Sequence, residues 1–145
     1  MTSRGITRSG LLAILLTVAA SGWALRASGQ QGQQLVPRAV LKLIIEHPAL
    51  VGYLHPEIAG RTPLVVSDHL LASGVTPSRF GQPVRILSDR EVGSQPHIRF
   101  ASFEVEGARA KTVIEYKVES LEIVFTLEST ALGWWKVVDA TLAKR

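Results

Sequence analysis

The chain has 145 residues, 46% of them hydrophobic and 19% charged, with 16 Lys and Arg against 12 Asp and Glu for a formal net charge of +4. It contains no cysteine, which excludes structural disulfides, thiolate metal sites, a thiol nucleophile and a lipid-modified cysteine; asparagine is absent as well, and with it any Asn-x-Ser/Thr glycan site. Arg4, Arg8 and Arg26 carry the basic excess, and downstream of them thirteen basic residues face twelve acidic ones, too even a balance to neutralise phosphates, so no nucleic acid is expected as a partner.

Leu11 to Leu16 is an almost unbroken apolar run behind Arg4 and Arg8, followed by Ala19, Ala20, Ser21 and Gly22. That is the layout of an export signal. Its apolar residues point all round a helical wheel, whereas a helix of a soluble core keeps one polar face. The stretch is short of the ~20 apolar residues of a comfortable membrane span. Residues 1–29 therefore read as a signal peptide or an N-terminal membrane anchor. Val18 with Ala20, Gly22 with Ala24, and Ala27 with Gly29 each meet the small-residue geometry of a cleavage site. Retained, residues 9–25 would be the chain's only membrane contact, with the basic flank inside and the domain outside. The expected location is periplasmic or extracellular, or anchored in the membrane with the domain outside. Residues 30–35, with Gln30, Gln31, Gly32, Gln33 and Gln34, form a polar linker.

Residues 36–145 are long enough for one core and read as a single domain. Pro37 suits a first helical turn, and Val36, Val40, Leu43, Ile44 and His47 share one side of a 3.6-residue period, opposite Arg38, Lys42 and Glu46. This predicts an amphipathic helix that Pro48 ends or kinks. Ala49 to Leu54 adds one or two turns. From Glu57 to Gln82, glycines and prolines recur every few residues, and Pro63 to Leu71 reads equally as strand or short helix.

Strands dominate the second half. Val84–Val92 and His97–Glu106 are expected strands, the latter with a bulge near Ala101 and Ser102 that reconciles Ile98 and Phe100 with Phe103 and Val105. Ala110, Thr112, Ile114 and Tyr116 alternate with Lys111, Val113, Glu115 and Lys117, as a strand with one buried and one solvated face does. Leu121, Ile123, Phe125 and Leu127 repeat the pattern after a turn near Glu119 and Ser120, and Trp134–Leu142 closes the sheet after Gly133. The expected fold class is α+β: an N-terminal amphipathic helix packed on a bent antiparallel sheet of four to five strands.

The closing Gly133, Trp134, Trp135, Lys136, Val137, Val138 and Asp139, with the paired strands before it, resembles the nuclear transport factor-like and cystatin-like α+β superfamily over roughly Pro83 to Leu142. That resemblance implies the fold and no single activity, because such folds include steroid-isomerising enzymes, secretion components and plain binding domains. With one well-defined helix, the chain departs from the larger members, which puts a deep enclosed pocket in doubt.

No residue set compels a chemistry. His47, His55, His69 and His97 lack metal-ligand spacing, Ser67, Asp68 and His69 are sequence neighbours that diverge in direction, and there is no Gly-x-Ser-x-Gly elbow. The expectation is no cofactor, no metal and no catalytic residue. Four residues stand as binding candidates. Trp134 and Trp135 are adjacent on a strand, so one faces in and the other out, and an exposed indole is an interface anchor. Tyr116 and Asp139 would serve an isomerase-like alternative, the phenol donating and a buried carboxylate acting as base. The leading expectation is an exported, non-enzymatic domain that binds a protein partner or a small apolar ligand. A membrane-anchored component of an export machine is the other alternative.

Overall fold

The computed structural model describes residues 34–144, which belong to one unit of the chain, Gly32–Arg145. The segment read as leader and most of the linker lie outside the described residues.

Pro37, with φ −61°, leads into helix α1 (Arg38–Glu46), which buries Val40, Leu41, Ile44 and Ile45. Pro48 stops that helix and opens the next, α2 (Pro48–Leu54), at whose start a missing N–H costs nothing. Between them His47 caps α2, its Nδ1 accepting a bond from the Ala49 N–H at 3.1 Å. The ring stands edge-on to Phe125 at 5.2 Å. His47 thus serves both helices, ending α1 and accepting a bond at the start of α2.

Eight strands follow: β1 (Val65–Ser67), β2 (Ser78–Arg79), β3 (Gln82–Pro83), β4 (Arg85–Leu87), β5 (Ile98–Glu106), β6 (Arg109–Tyr116), β7 (Leu121–Ser129) and β8 (Trp135–Lys144). Six form one sheet in the order β4-β1-β5-β6-β7-β8, and β2 and β3 make a separate hairpin. Strands β5 to β8 are an antiparallel meander. Strand β1 runs parallel to both of its neighbours, meeting β4 along Val65↔Arg85 to Ser67↔Leu87 and β5 at Val66↔Ile98.

The fold is thus α+β, but its main sheet is mixed and has six strands, not four or five antiparallel ones. The difference lies in β1. Only three residues long and buried throughout, it lacks the alternation of a half-solvated strand. Val84–Val92 also breaks in two: the strand ends at Leu87, and Ser88 starts a short helix, α3 (Asp89–Val92), through a capping box in which Ser88 and Glu91 satisfy each other's backbone N–H.

The meander follows its alternation. A register shift between Phe100 and Ser102 lets Phe100 and Phe103 both face the core. Strand β6 buries Ala110, Thr112, Ile114 and Tyr116, and β7 buries Leu121, Ile123, Phe125 and Leu127. All but Thr112, whose hydroxyl donates to the Ser102 carbonyl at 2.7 Å, join the apolar faces of α1 and α2 in one cluster. Strand β6 ends at Tyr116, a 3-10 turn (Lys117–Glu119) follows, and Ser120 turns the chain at φ +50°. At the start of the domain, the Val36 N–H donates to the Leu70 carbonyl at 2.6 Å, the Ala72 N–H to Val36 at 2.9 Å, and the Gln34 amide oxygen accepts from the Val105 N–H at 2.7 Å.

Candidate functional site

The connection between β7 and β8 forms a stiff, apolar tip. The Thr130 N–H donates to the Trp134 carbonyl at 2.7 Å, the Gly133 N–H to the Thr130 carbonyl at 2.9 Å, and the Trp134 N–H to the Thr130 hydroxyl at 3.2 Å. Gly133 takes φ +80°, a left-handed conformation that a side chain would oppose. Held this way, Leu132 is 84% exposed and Trp134 72% exposed. Two large apolar side chains with no cover within the fold are an unusual concentration for one turn. Trp135, the next residue, is half-buried and packs on the core cluster. Thus the two indoles part, one outward and one inward.

The rim below the tip is charged but balanced. Glu106 faces Arg109 in register, Arg109 faces Glu128, and Glu128 faces Lys136, so the signs alternate across four strands. The Ser129 N–H donates to the Ala108 carbonyl at 2.7 Å, which sets the β5–β6 turn beside the tip.

Tyr116 and Asp139 do not come together. Tyr116 is 1% exposed and belongs to the core face, paired with Leu121. Its hydroxyl is pushed up from its ordinary pKa by burial, against the Arg61 guanidinium, which lies 6.0 Å from the ring centroid. Arg61 in turn is held by Glu119, and donates to the Tyr53 carbonyl at 3.4 Å. Asp139 pairs with Thr126 on the opposite, solvated face, is exposed, and accepts from the Thr141 hydroxyl at 3.1 Å. A carboxylate there has water around it and no phenol to work with. The core side of the sheet beside Tyr116 is filled by Phe100, Ile114, Ile123 and Phe125. Glu115, Lys117, Ser120, Leu121 and Glu122, around the turn between β6 and β7, line a cleft of about 240 Å³.

A polar cluster that sequence reasoning missed sits where β1 and β4 end. Ser67, fully buried, donates its hydroxyl proton to Asp89 and accepts from the His69 N–H at 3.1 Å. His69 Nδ1 lies 3.6 Å from the other Asp89 oxygen, Arg99 Nε lies 3.6 Å from the first, and Arg99 reaches on to Glu115 at 3.9 Å. The Ser67 hydrogen bond holds the Asp89 carboxyl below its usual range, helped by Arg99, His69 and His97. His69 lies in the turn that follows β1, where its N–H folds back onto the Ser67 hydroxyl; Asp89 comes from 22 residues beyond Ser67, and no local pattern announces it. The grouping contains Ser, His and Asp, but the serine hydroxyl proton and the histidine ring both point to the carboxylate, and the only bond between Ser67 and His69 is from the backbone N–H. A nucleophile requires the serine to face its base and the solvent, so this arrangement anchors β1 to α3.

His55 pairs with Glu57 at 3.0 Å and His97 Nδ1 meets the Gln95 carbonyl oxygen at 2.9 Å. Among the described residues, no three His, Asp or Glu side chains form a group able to hold a metal ion, and no helix is long and apolar enough to cross a membrane. No family model, curated protein or solved structure matches the chain.

Proposed function

We propose that the chain is an exported, non-enzymatic α+β binding domain, secreted or held in the cell envelope, that grips its partner through the Leu132–Trp134 tip. The observation carrying this reading is the joint exposure of Leu132 and Trp134 on a turn tied by three hydrogen bonds. A preorganised apolar anchor loses little entropy on capture, and tryptophan is a favoured anchor at interfaces. The export half of the reading is supported by the apolar run behind Arg4 and Arg8. The helices-first, meander-last order supports the resemblance to the nuclear transport factor-like and cystatin-like superfamily at the level of fold.

A photo-reactive residue in place of Leu132, in cells that make the protein, tests the reading against the same residue in place of exposed Ser94 at the far end of the sheet. Adducts are expected from position 132 alone, and Trp134→Ala should weaken the contact by ~2 kcal/mol or more if the indole is its hot spot. Equal adduct formation at 132 and 94, or none at 132, overturns it.

A further inference from the structure

We propose that two copies of the chain join along β8, antiparallel and edge to edge, so that the six strands of each continue into one sheet, with the two-fold axis between Val137 and Val138. The pairing goes beyond the reading of the tip and makes no use of it.

Strand β8 closes the sheet, and among the described residues no strand pairs with its outer side. It is ten residues long and has no proline, so it holds out a row of backbone N–H and C=O groups to another strand. Monomeric folds blunt such an edge by shortness, proline or a bulge. Here only the bulge is present, where Val138 is the extra residue opposite the Thr126–Leu127 step of β7, and it selects the partner.

Residues directly opposite each other in paired strands share a face. Lys136 lies opposite Glu128 and Asp139 opposite Thr126, on the solvated side of β7. Trp135, Val137 and Ala140 pack against the core cluster on the other side. In a regular strand, residues three apart lie on opposite faces; the extra Val138 puts Lys136 and Asp139 on the same one. An axis between Val137 and Val138 therefore sets Lys136 of each copy against Asp139 of the other, and Trp135 against Ala140, each pair on a single face.

Charge then fixes the register. Across one copy the signs alternate through Glu106, Arg109, Glu128 and Lys136, and the second copy's Asp139 continues that alternation, twice over by symmetry. Moving the axis one residue toward the C terminus keeps the faces but sets Lys136 against Thr141, and Asp139 loses its cation. Val138, 44% exposed in the single copy, comes to lie beside the second copy's Val137. A second copy brings the matching bulge and the matching charges together.

The test uses full-length chains, which contain no cysteine. Lys136→Cys and Asp139→Cys, made separately and mixed, should give a disulfide-linked pair on mild oxidation. Neither should do so alone, because each position lies ~10 Å along the strand from its own counterpart, beyond the reach of a disulfide. In sedimentation, Lys136→Asp should raise the dimer dissociation constant about tenfold, as two repulsive pairs replace two attractive ones, and adding Asp139→Lys should restore it. A native chain that sediments as a monomer, covalent pairs formed equally by the single variants, or a charge swap that fails to restore affinity overturns the proposal. Capture of a different protein from position 132 by a monomeric chain leaves the tip standing and removes the edge pairing; a dimer with no adduct at 132 does the reverse.

Discussion

The meander from Ile98 to Lys144 and the corner from Glu57 to His97 share one sheet but are held by different forces. In the meander every strand is eight to ten residues long and pairs with its chain neighbour along its length, with one register shift between Phe100 and Ser102 and another between Thr126 and Leu127. Its stability is area: alternate residues face α1 and α2, and each buried aliphatic or aromatic side chain is worth ~1.5–3 kcal/mol. In the corner, β1 and β4 have three residues each, and Leu64, Val66, Leu70 and Val84 reach the core from these short segments and the loops beside them. There directional contacts add to the burial: Ser67 to Asp89, Arg99 to Asp89, and Arg38 Nε to the Ala72 carbonyl at 2.7 Å. One region should lose stability in proportion to volume removed, the other also when a single polar partner goes missing.

Phe125→Ala should have the largest effect on this contrast. It empties a fully buried site at the centre of the meander, where Phe125 also meets the His47 ring, and should cost ~3–5 kcal/mol in denaturant unfolding. Ser67→Ala removes one oxygen from the corner, yet should cost ~1–3 kcal/mol, because the His69 N–H loses its acceptor and Asp89 its closest donor. A loss below that of an exposed serine control would show that the corner is held by area alone.

The smallest effect is a matter of pH. Asp89 is held below its usual pKa in the fold, so its contribution is complete above the unfolded value and fades as pH falls through the folded one. Asp89 is half-exposed, so solvent screens the effect. Melting temperature should therefore fall more gently with acid, below about pH 4, in Asp89→Asn than in the native chain. Parallel curves would place the anchor elsewhere.

The same contrast explains what the sequence discloses. Alternation over Ala110 to Leu127 exposes the meander, because a strand with one wet face writes its period into residue choice. Even the bulge shows, since Phe100 and Phe103 cannot otherwise share a face. Strand β1 is dry on both sides and leaves no period, so nothing in Val65, Val66 and Ser67 points to a parallel partner twenty residues on. Ser88 and Glu91 do spell a capping box, but Val84 and Ile86 just before them alternate like a strand and mask it. At the tip, the adjacency of Trp134 and Trp135 is enough to expect one indole outside. The choice between them depends on the turn, and Thr130's three bonds are legible only in three dimensions. Asp139 takes the solvated face because of the register shift between Thr126 and Leu127, which no count along the chain contains, and the pairing that runs Tyr116–Leu121–Lys144 leaves it five residues away along β8.

The way the domain begins has a mechanical consequence. Tension arriving through residue 34 meets the Gln34–Val105 bond and then the Val36 bridge to Leu70 and Ala72, and only beyond them the helix and sheet. These first bonds are few, so a pull on residue 34 should break them before it loads the long antiparallel strands behind them.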